Sequence, residues 1–260
     1  MGFNLYDHKS KITKFNNASG NLGSRYVGQV LGEIWGYKAD GYYSIEDFDI
    51  DQARKDKWIL KEGVTSINGT NPKPGDRKII GNSTARYEFG ANLGVSWRGL
   101  DLSMVLQGVG KRDVVLSGAA LYPFGANKGE GAFFPIYSNQ TDYWTAKSYD
   151  PESPDYMVAA NPDAKLFRIY GQLDNVESNT RTSDKYLQNG AYMRIKNMTL
   201  SYSLPKRWLD ATHVIGKARI YVSVENLATF TSLPDGYDPE SLTWSYPFYR
   251  TISFGANVTF

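Results

Sequence analysis

The side chains that could perform covalent or metal chemistry are few and widely separated in this chain. Cysteine is absent, which excludes disulfides, thiolate metal sites and cysteine nucleophiles. The two histidines, His8 and His213, lie far apart, and neither has a neighbour at the spacing of a metal site or a catalytic triad. We therefore predict no catalytic residue, no metal and no cofactor.

The acidic and glycine-rich stretches do not supply the missing chemistry. The carboxylates of residues 46–51 lack a base partner and the glycine turn of a calcium loop, which is typical of a solvated loop. The glycines of residues 108–110 and 125–131 do not complete a phosphate-binding motif that opens a helix. The sequence therefore indicates that the protein is not an enzyme.

Charge and hydropathy exclude two further classes of protein. The 29 Lys+Arg and 27 Asp+Glu leave a formal charge of +2, which is too balanced for a nucleic-acid binder. The first thirty residues contain charges and no apolar run, unlike a secretory signal, and no stretch is long and apolar enough for a transmembrane helix. If the chain crosses a membrane, it must do so with β-strands.

Strict period-two alternation predicts long β-strands. In residues 85–97 every odd position is apolar or aromatic, and every even position is polar, charged or glycine. The pattern restarts at Leu100, which predicts a hairpin with a tight turn, and it recurs without error in residues 252–260. A change of phase near Lys196 predicts a β-bulge or a change of environment at that point. The strands are expected near residues 2–13, 84–98, 100–110, 191–205, 217–230 and 250–260.

Short and long connections alternate between these strands. The long ones are rich in Gly, Pro, Asn and aromatic residues, and they cover residues 16–82, 111–189 and 231–249. One rim of tight turns and one of large loops is typical of an outer-membrane barrel. We therefore predict an all-β fold: a partial transmembrane β-barrel, seen as an open antiparallel up-and-down sheet of about six long strands with long extracellular loops on one rim.

A soluble fold is the alternative at this stage. A secreted sugar-binding β-sandwich could use loop aromatics as stacking platforms, and it would be soluble without detergent. In a barrel, the polar positions of the strands would line a wet lumen, among them Asn92, Asp101, Gln107, Arg219 and Glu225. The candidate substrate-binding residues combine the loop aromatics with two residues of the lumen face: Trp35, Tyr37, Tyr42, Tyr43, Tyr143 and Trp144 in the loops, and Arg86 and Glu88 on the lumen face.

Several sequence blocks occur in the order of one known family. Residues 190–205 (GAYMRIKNMTLSYSLP) are similar to a YLRIKNITLGYTLP signature, residues 219–227 to an R-x-Y-x-S-x-x-N-L strand, and residues 236–240 to a GYDPE loop. Residues 76–82 match D-R-x-x-I-G-N, and residues 106–110 read LQGVG. These blocks resemble the C-terminal quarter of SusC/RagA-type TonB-linked outer-membrane transporters.

The resemblance implies a transporter in the bacterial cell outer membrane that imports oligosaccharides or peptides. It implies four partners: a SusD-like surface lipoprotein, the TonB complex acting through an N-terminal plug, outer-membrane lipid, and the barrel assembly machinery, which would recognise the terminal Phe260. The plug and the TonB box are missing from the chain, so we expect that it does not transport alone. Relatives often carry an acidic D-x-N-G-D-G loop, whereas residues 66–71 read SINGTN, so we expect no metal there.

Overall fold

The computed structural model describes residues 1–18, 20, 23–39, 77–116, 138–167, 181–242 and 248–260. Within them, the strands are β1 Gly2–Tyr6, β2 Glu33–Gly36, β3 Lys78–Asn82, β4 Arg86–Trp97, β5 Leu100–Lys111, β6 Asp113–Val115, β7 Leu187–Asn189, β8 Tyr192–Ser203, β9 Lys217–Thr231 and β10 Thr251–Thr259. Helical structure among the described residues is confined to the short elements Ser138–Gln140, Asp184–Tyr186, Lys206–Leu209 and Asp210–Thr212. None of these described helices is long and apolar enough to cross a membrane.

The main sheet has six strands in the order β1-β4-β5-β8-β9-β10, and all neighbours are antiparallel. Short sheets are formed by β2 with β3 and by β6 with β7. The chain divides into two compact units, and the main sheet lies in the unit made of Met1–Lys9, Thr84–Asp113 and Asn189–Phe260. The predicted fold class is therefore confirmed: the sheet is antiparallel, has six strands and does not close into a barrel among the described residues.

Two local features of the main sheet follow from its sequence. The hairpin between β4 and β5 turns at Arg98 and Gly99, which both have positive φ angles, 47° and 85°, as a tight two-residue hairpin turn requires. The bulge predicted near Lys196 is confirmed, because the register between β8 and β9 shifts between Ile195 and Asn197. This extra residue restores the phase of the alternating pattern, so the apolar side chains on both sides of it face the same way.

The first strand is shorter than expected. A strand over residues 2–13 was predicted, but β1 ends at Tyr6, and Asp7 binds the side chain of Arg86. Beyond it, the chain pairs with residues 28–31 instead: the Ile12 N–H donates to the Gln29 carbonyl at 2.9 Å. The segments predicted as loops 16–82 and 111–189 also contain the short strands β2, β3, β6 and β7. Short strands of three to five residues give too few periods for alternation to be visible in the sequence.

One face of the main sheet is apolar from strand to strand. A single row across five strands consists of Leu93, Met104, Met198, Val224 and Ile252. Large side chains on this face are exposed, including Trp97 at 66% and Phe254 at 81%. A sheet that exposes its apolar side to this extent needs an apolar environment or a second layer to bury it.

The second unit, Ser10–Ser83 with Val114–Gln188, contains its own small hydrophobic core. Trp144 is 1% exposed and packs in a buried cluster with Tyr156, Met157 and Ala164. The surrounding chain is irregular and is stabilised by backbone hydrogen bonds such as Trp144 N–H to the Leu166 carbonyl at 2.8 Å. This part of the long connections is therefore packed around its aromatic residues.

Candidate functional site

The face opposite the apolar one carries polar side chains in the same registered rows. One row consists of Asn92, Val105, Asn197, Glu225 and Thr251, and the next of Gly94, Ser103, Thr199, Ser223 and Ser253. The Thr199 and Ser223 hydroxyl oxygens lie 2.8 Å apart, and the Asn197 amide donates to Ser223 at 3.2 Å. We call this surface the polar face. In the two rows named above it offers hydrogen-bonding groups and one charged side chain, Glu225, which suits the wall of a water-filled passage.

Two of the candidate binding residues lie at the start of β4. The guanidinium of Arg86 binds the Asp7 carboxylate through two nitrogens, with Nη2 2.6 Å from Oδ2. This hydrogen-bonded ion pair holds the pKa of Asp7 well below its usual value, at about 2. Glu88 is exposed and is paired in the ladder with Tyr6 and Val109. Arg86 therefore connects the start of β4 to Asp7, the residue that follows β1, whereas Glu88 is accessible to a solute.

A buried arginine on β8 organises the charged part of the polar face. The Arg194 side chain is only 2% exposed. Its Nε donates to Thr229 Oγ1 at 2.8 Å, its Nη2 lies 2.7 Å from Asp238 Oδ1, and its Nη1 lies 3.1 Å from Glu240 Oε2. The buried guanidinium is tolerated because two carboxylates neutralise its charge and because Nε and Nη2 donate hydrogen bonds, whereas Nη1 forms an ion pair with Glu240 without a hydrogen bond.

The same cluster includes three more polar side chains from the sheet unit. Lys196 Nζ lies 2.8 Å from Glu240 Oε2, and the Tyr192 hydroxyl donates to Glu240 Oε1 at 3.2 Å. Arg112 donates to the backbone carbonyl of Pro239. Arg194 and Lys196 therefore bind the two carboxylates, and Arg112 binds the backbone between them. All of these contacts join the main-sheet unit to the segment that follows β9.

Sequence reasoning missed this cluster as a site. Arg194 and Asp238 are 44 residues apart, so no local pattern links them. A signal was nevertheless available, because Arg194 and Lys196 lie in the block 190–205 and both carboxylates lie in the block 236–240, the two most distinctive motifs of the chain.

Two of the expected stacking aromatics are buried. Trp144 lies in the core of the second unit, as described above, and Tyr37 is 5% exposed, with its N–H donating to the Thr182 carbonyl at 2.9 Å. Neither ring presents a face to a solute, which corrects the expectation that they are binding platforms. The physical reason is that long connections must bury their own apolar surface, and large aromatic rings do this best.

The other loop candidates have different surroundings. Trp35 is half-buried, packs edge-on against Tyr26 with ring centroids 6.3 Å apart, and lines an open cavity of about 640 Å³ together with Arg25 and Arg77. Tyr143 is also half-buried. Tyr42 and Tyr43 lie outside the described residues, as do the acidic run 46–51 and the loop 66–71.

Among the described residues, no group of three or more His, Asp or Glu side chains could hold a metal ion. Phe260, expected to act as an assembly signal, follows β10 and is 84% exposed. Its position at the end of the last ladder leaves the aromatic ring accessible.

Curated relatives match the chain over most of its length. It is 24% identical over 302 aligned residues to TonB-dependent receptor P3 of Formosa agariphila, an alignment that covers 99% of this chain and 26% of the relative. It is 27% identical over 202 residues to TonB-dependent receptor P26 of the same organism, which covers 71% of this chain and 18% of the relative. The chain thus spans about a quarter or less of the length of these relatives. No family model matches it.

Solved structures share the fold. The RagAB peptide transporter matches with a TM-score of 0.56 at 20% identity, over 90% of this chain and 23% of the other. The RagAB peptide importer in its closed-closed state matches with a TM-score of 0.57 at 18% identity, over 95% of this chain and 25% of the other. These comparisons confirm the recognition made from the motifs: the chain is related along its length to TonB-dependent receptors and has the fold of part of the RagAB transporter structures.

Proposed function

We propose that residues 1–260 form a C-terminal part of the barrel wall of a TonB-dependent transporter in the bacterial outer membrane. The observation that carries the proposal is the two-sided sheet, whose exposed apolar face suits lipid and whose polar face suits a wet lumen. The curated relatives are receptors and the structural neighbours are transporters, which favours a role without catalysis. The long connections would then face the outside of the cell.

The proposed cargo is an oligosaccharide or a peptide. The RagAB structures are those of a peptide transporter, and the sequence motifs resemble a family that imports both kinds of nutrient. A SusD-like surface lipoprotein would close the outer end of the barrel, and the TonB complex would act through a plug outside this segment. The proposed contact residues are Glu88, which is exposed, and the half-buried Trp35, Tyr143 and Arg86, of which Arg86 is already paired with Asp7.

The chain alone would supply wall and loops without transporting. The sheet edges formed by β1 and β10 would pair with the other strands of a complete barrel, because unpaired backbone groups cannot face lipid. We propose that the barrel assembly machinery recognises Phe260 during this closure.

The behaviour of the isolated chain tests the proposal against the soluble alternative. Expressed alone, it should aggregate in buffer and become monodisperse only in detergent, because the apolar face and both sheet edges are uncovered. As a matched pair of variants, Phe254→Ser should reduce the dependence on detergent, while Ser253→Ala on the opposite face should leave it unchanged. A monodisperse detergent-free monomer with a cooperative melt would contradict the barrel-wall function.

A further inference from the structure

The segment after β9 folds back over the polar face. The last ladder pair between β8 and β9 joins Tyr192 to Thr231. A loop that continued away from the sheet after Thr231 would therefore not contact the residues that follow Tyr192 in β8. Glu240 instead reaches Lys196, four residues further along β8, which is about 13 Å along the strand. We call residues 233–242 the return loop.

The side of the sheet that the return loop covers follows from the register. Arg194 is paired directly with Gln107 on one side and with Thr229 on the other, and residues that are directly opposite each other share a face. The neighbouring apolar residues Met193 and Ile195 point the other way. Because Asp238 binds the Arg194 side chain, the return loop lies over the polar face.

The return loop also has its own internal structure. The Glu240 N–H donates to Asp238 Oδ1 at 2.9 Å, the Ser241 N–H to the Asp238 carbonyl at 3.0 Å, and the Tyr237 N–H to the Pro234 carbonyl at 3.1 Å. Gly236 has a φ of 91°, which glycine adopts without strain. Two consecutive turns therefore give the loop a defined shape before it meets the sheet.

We infer that the return loop is a fixed constriction of the transport passage and that Arg194 is the residue that positions it. The inference rests on the proposed function, in which the polar face lines the lumen. A loop held over that face narrows the passage near the end of the strands that carries the long connections. The exposed Asp235 lies at the turn of the loop, so cargo would pass close to a carboxylate.

Arg194 is suited to this role because it holds both carboxylates of the loop. Asp238 and Glu240 each approach a different nitrogen of its guanidinium, while Nε is used by Thr229 on the adjacent strand. A lysine could not reproduce this forked geometry, since it carries a single nitrogen. Lys196 is more exposed and binds only one of the two loop carboxylates, Glu240, so it supports the loop without defining its position.

A zero-length cross-link tests the position of the loop. Carbodiimide should couple Lys196 to Glu240 in the 260-residue chain in detergent micelles, because their charged atoms lie 2.8 Å apart. Arg194→Met should lower the yield of the linked peptide by about tenfold or more, because removing one partner of a buried ion pair releases the other. Arg207→Met, in the exposed turn after β8, is the matched control and should leave the yield unchanged.

Arg194→Gln, which adds no amine that carbodiimide can couple, gives a second variant in case the Met variant does not fold, and circular dichroism checks that the sheet is intact. We expect the Gln variant to lose most of the cross-link while keeping the strand signal. Absence of the cross-link in the unmodified chain, or an equal yield in the folded Arg194 variants, would overturn the inference. Both outcomes would leave the barrel-wall function untouched.

Size-dependent labelling tests the constriction itself. The chain has no cysteine, so Ser103→Cys places a single thiol on the polar face, further along the strands than the return loop, in this segment of the full-length receptor in outer membranes. A small maleimide should react from outside, whereas a polymer-linked maleimide should react only after Arg194→Met is added. Equal reaction with both reagents before that change would refute the constriction. Failure of the receptor to insert in the membrane would instead contradict the proposed function.

Discussion

Replacing Leu93 with arginine tests which side of the sheet meets lipid. Leu93 is paired with Met104 in the apolar row, while its neighbour Asn92 is paired with Val105 in a row of the polar face. The same substitution at Asn92 is therefore a control that differs by one position along one strand. Because successive side chains point to opposite faces, the two arginines would enter opposite environments.

The depth of Leu93 gives the size of the expected effect. β4 has 12 residues; at about 3.3 Å per residue and a tilt of about 40° it rises about 28 Å, close to an apolar band of about 25 Å. Trp97 would belong to the aromatic girdle at that end of the strand. Leu93 lies four residues before Trp97, which places it about 10 Å deeper in the membrane. An arginine near the midplane costs about 2–4 kcal/mol, which changes the folding equilibrium by a factor of about 30 to 900.

The measurement is denaturant unfolding of the full-length receptor in lipid vesicles, followed by tryptophan fluorescence. Leu93→Arg should lower the unfolding free energy by the amount above, and Asn92→Arg should stay within about 0.5 kcal/mol of the unmodified protein. Equal losses at both positions, or a larger loss at Asn92, would refute the assignment of the two faces. The amount of folded receptor in the membrane should also be reduced more by Leu93→Arg than by Asn92→Arg.

Three further changes test local parts of the structure. Gly108→Ala should cost about 1–3 kcal/mol, because an added Cβ would overlap the backbone of the adjacent strand, while Gly94→Ala has its nearest atom at 3.9 Å and should be tolerated; thermal unfolding compares them. The pKa of Asp7 lies below its usual value of 3.8, at about 2, so its stabilisation of β1 should be complete above pH 3.8 and lost as the pH falls through 2. Hydrogen exchange of β1 should show this loss in the unmodified chain and not in Asp7→Asn. Trp144→Ala should destabilise its loop core by about 3–5 kcal/mol, seen as lost exchange protection over residues 144–164.

The long strands could be predicted because apolar and polar side chains alternate along their whole length, as a barrel wall requires when one face meets lipid and the other meets water. In β4 the alternation of residues 86–97 defines the two faces, and a shift by one residue would exchange them. The same reasoning indicated a bulge near Lys196 as one explanation of the two phases of β8, and the register shift between Ile195 and Asn197 confirms it. This reasoning did not locate the end of β1, because Asp7 leaves the ladder to bind Arg86, a partner 79 residues away.

The strands could be predicted from the sequence, whereas the charged site around Arg194 could not. Alternation is a local property, whereas the cluster around Arg194 depends on which face a bulge directs it to and on a loop that returns from the neighbouring strand. Aromatic composition misleads for a related reason, because it does not distinguish a ring that meets a solute from one that closes a loop core, as Trp144 does. In both cases the deciding quantity is burial, which only the three-dimensional fold determines. Charged residues of opposite sign in two separate motifs are therefore the most useful sequence signal for such a site, because a buried guanidinium on a polar sheet face requires carboxylates from elsewhere in the chain.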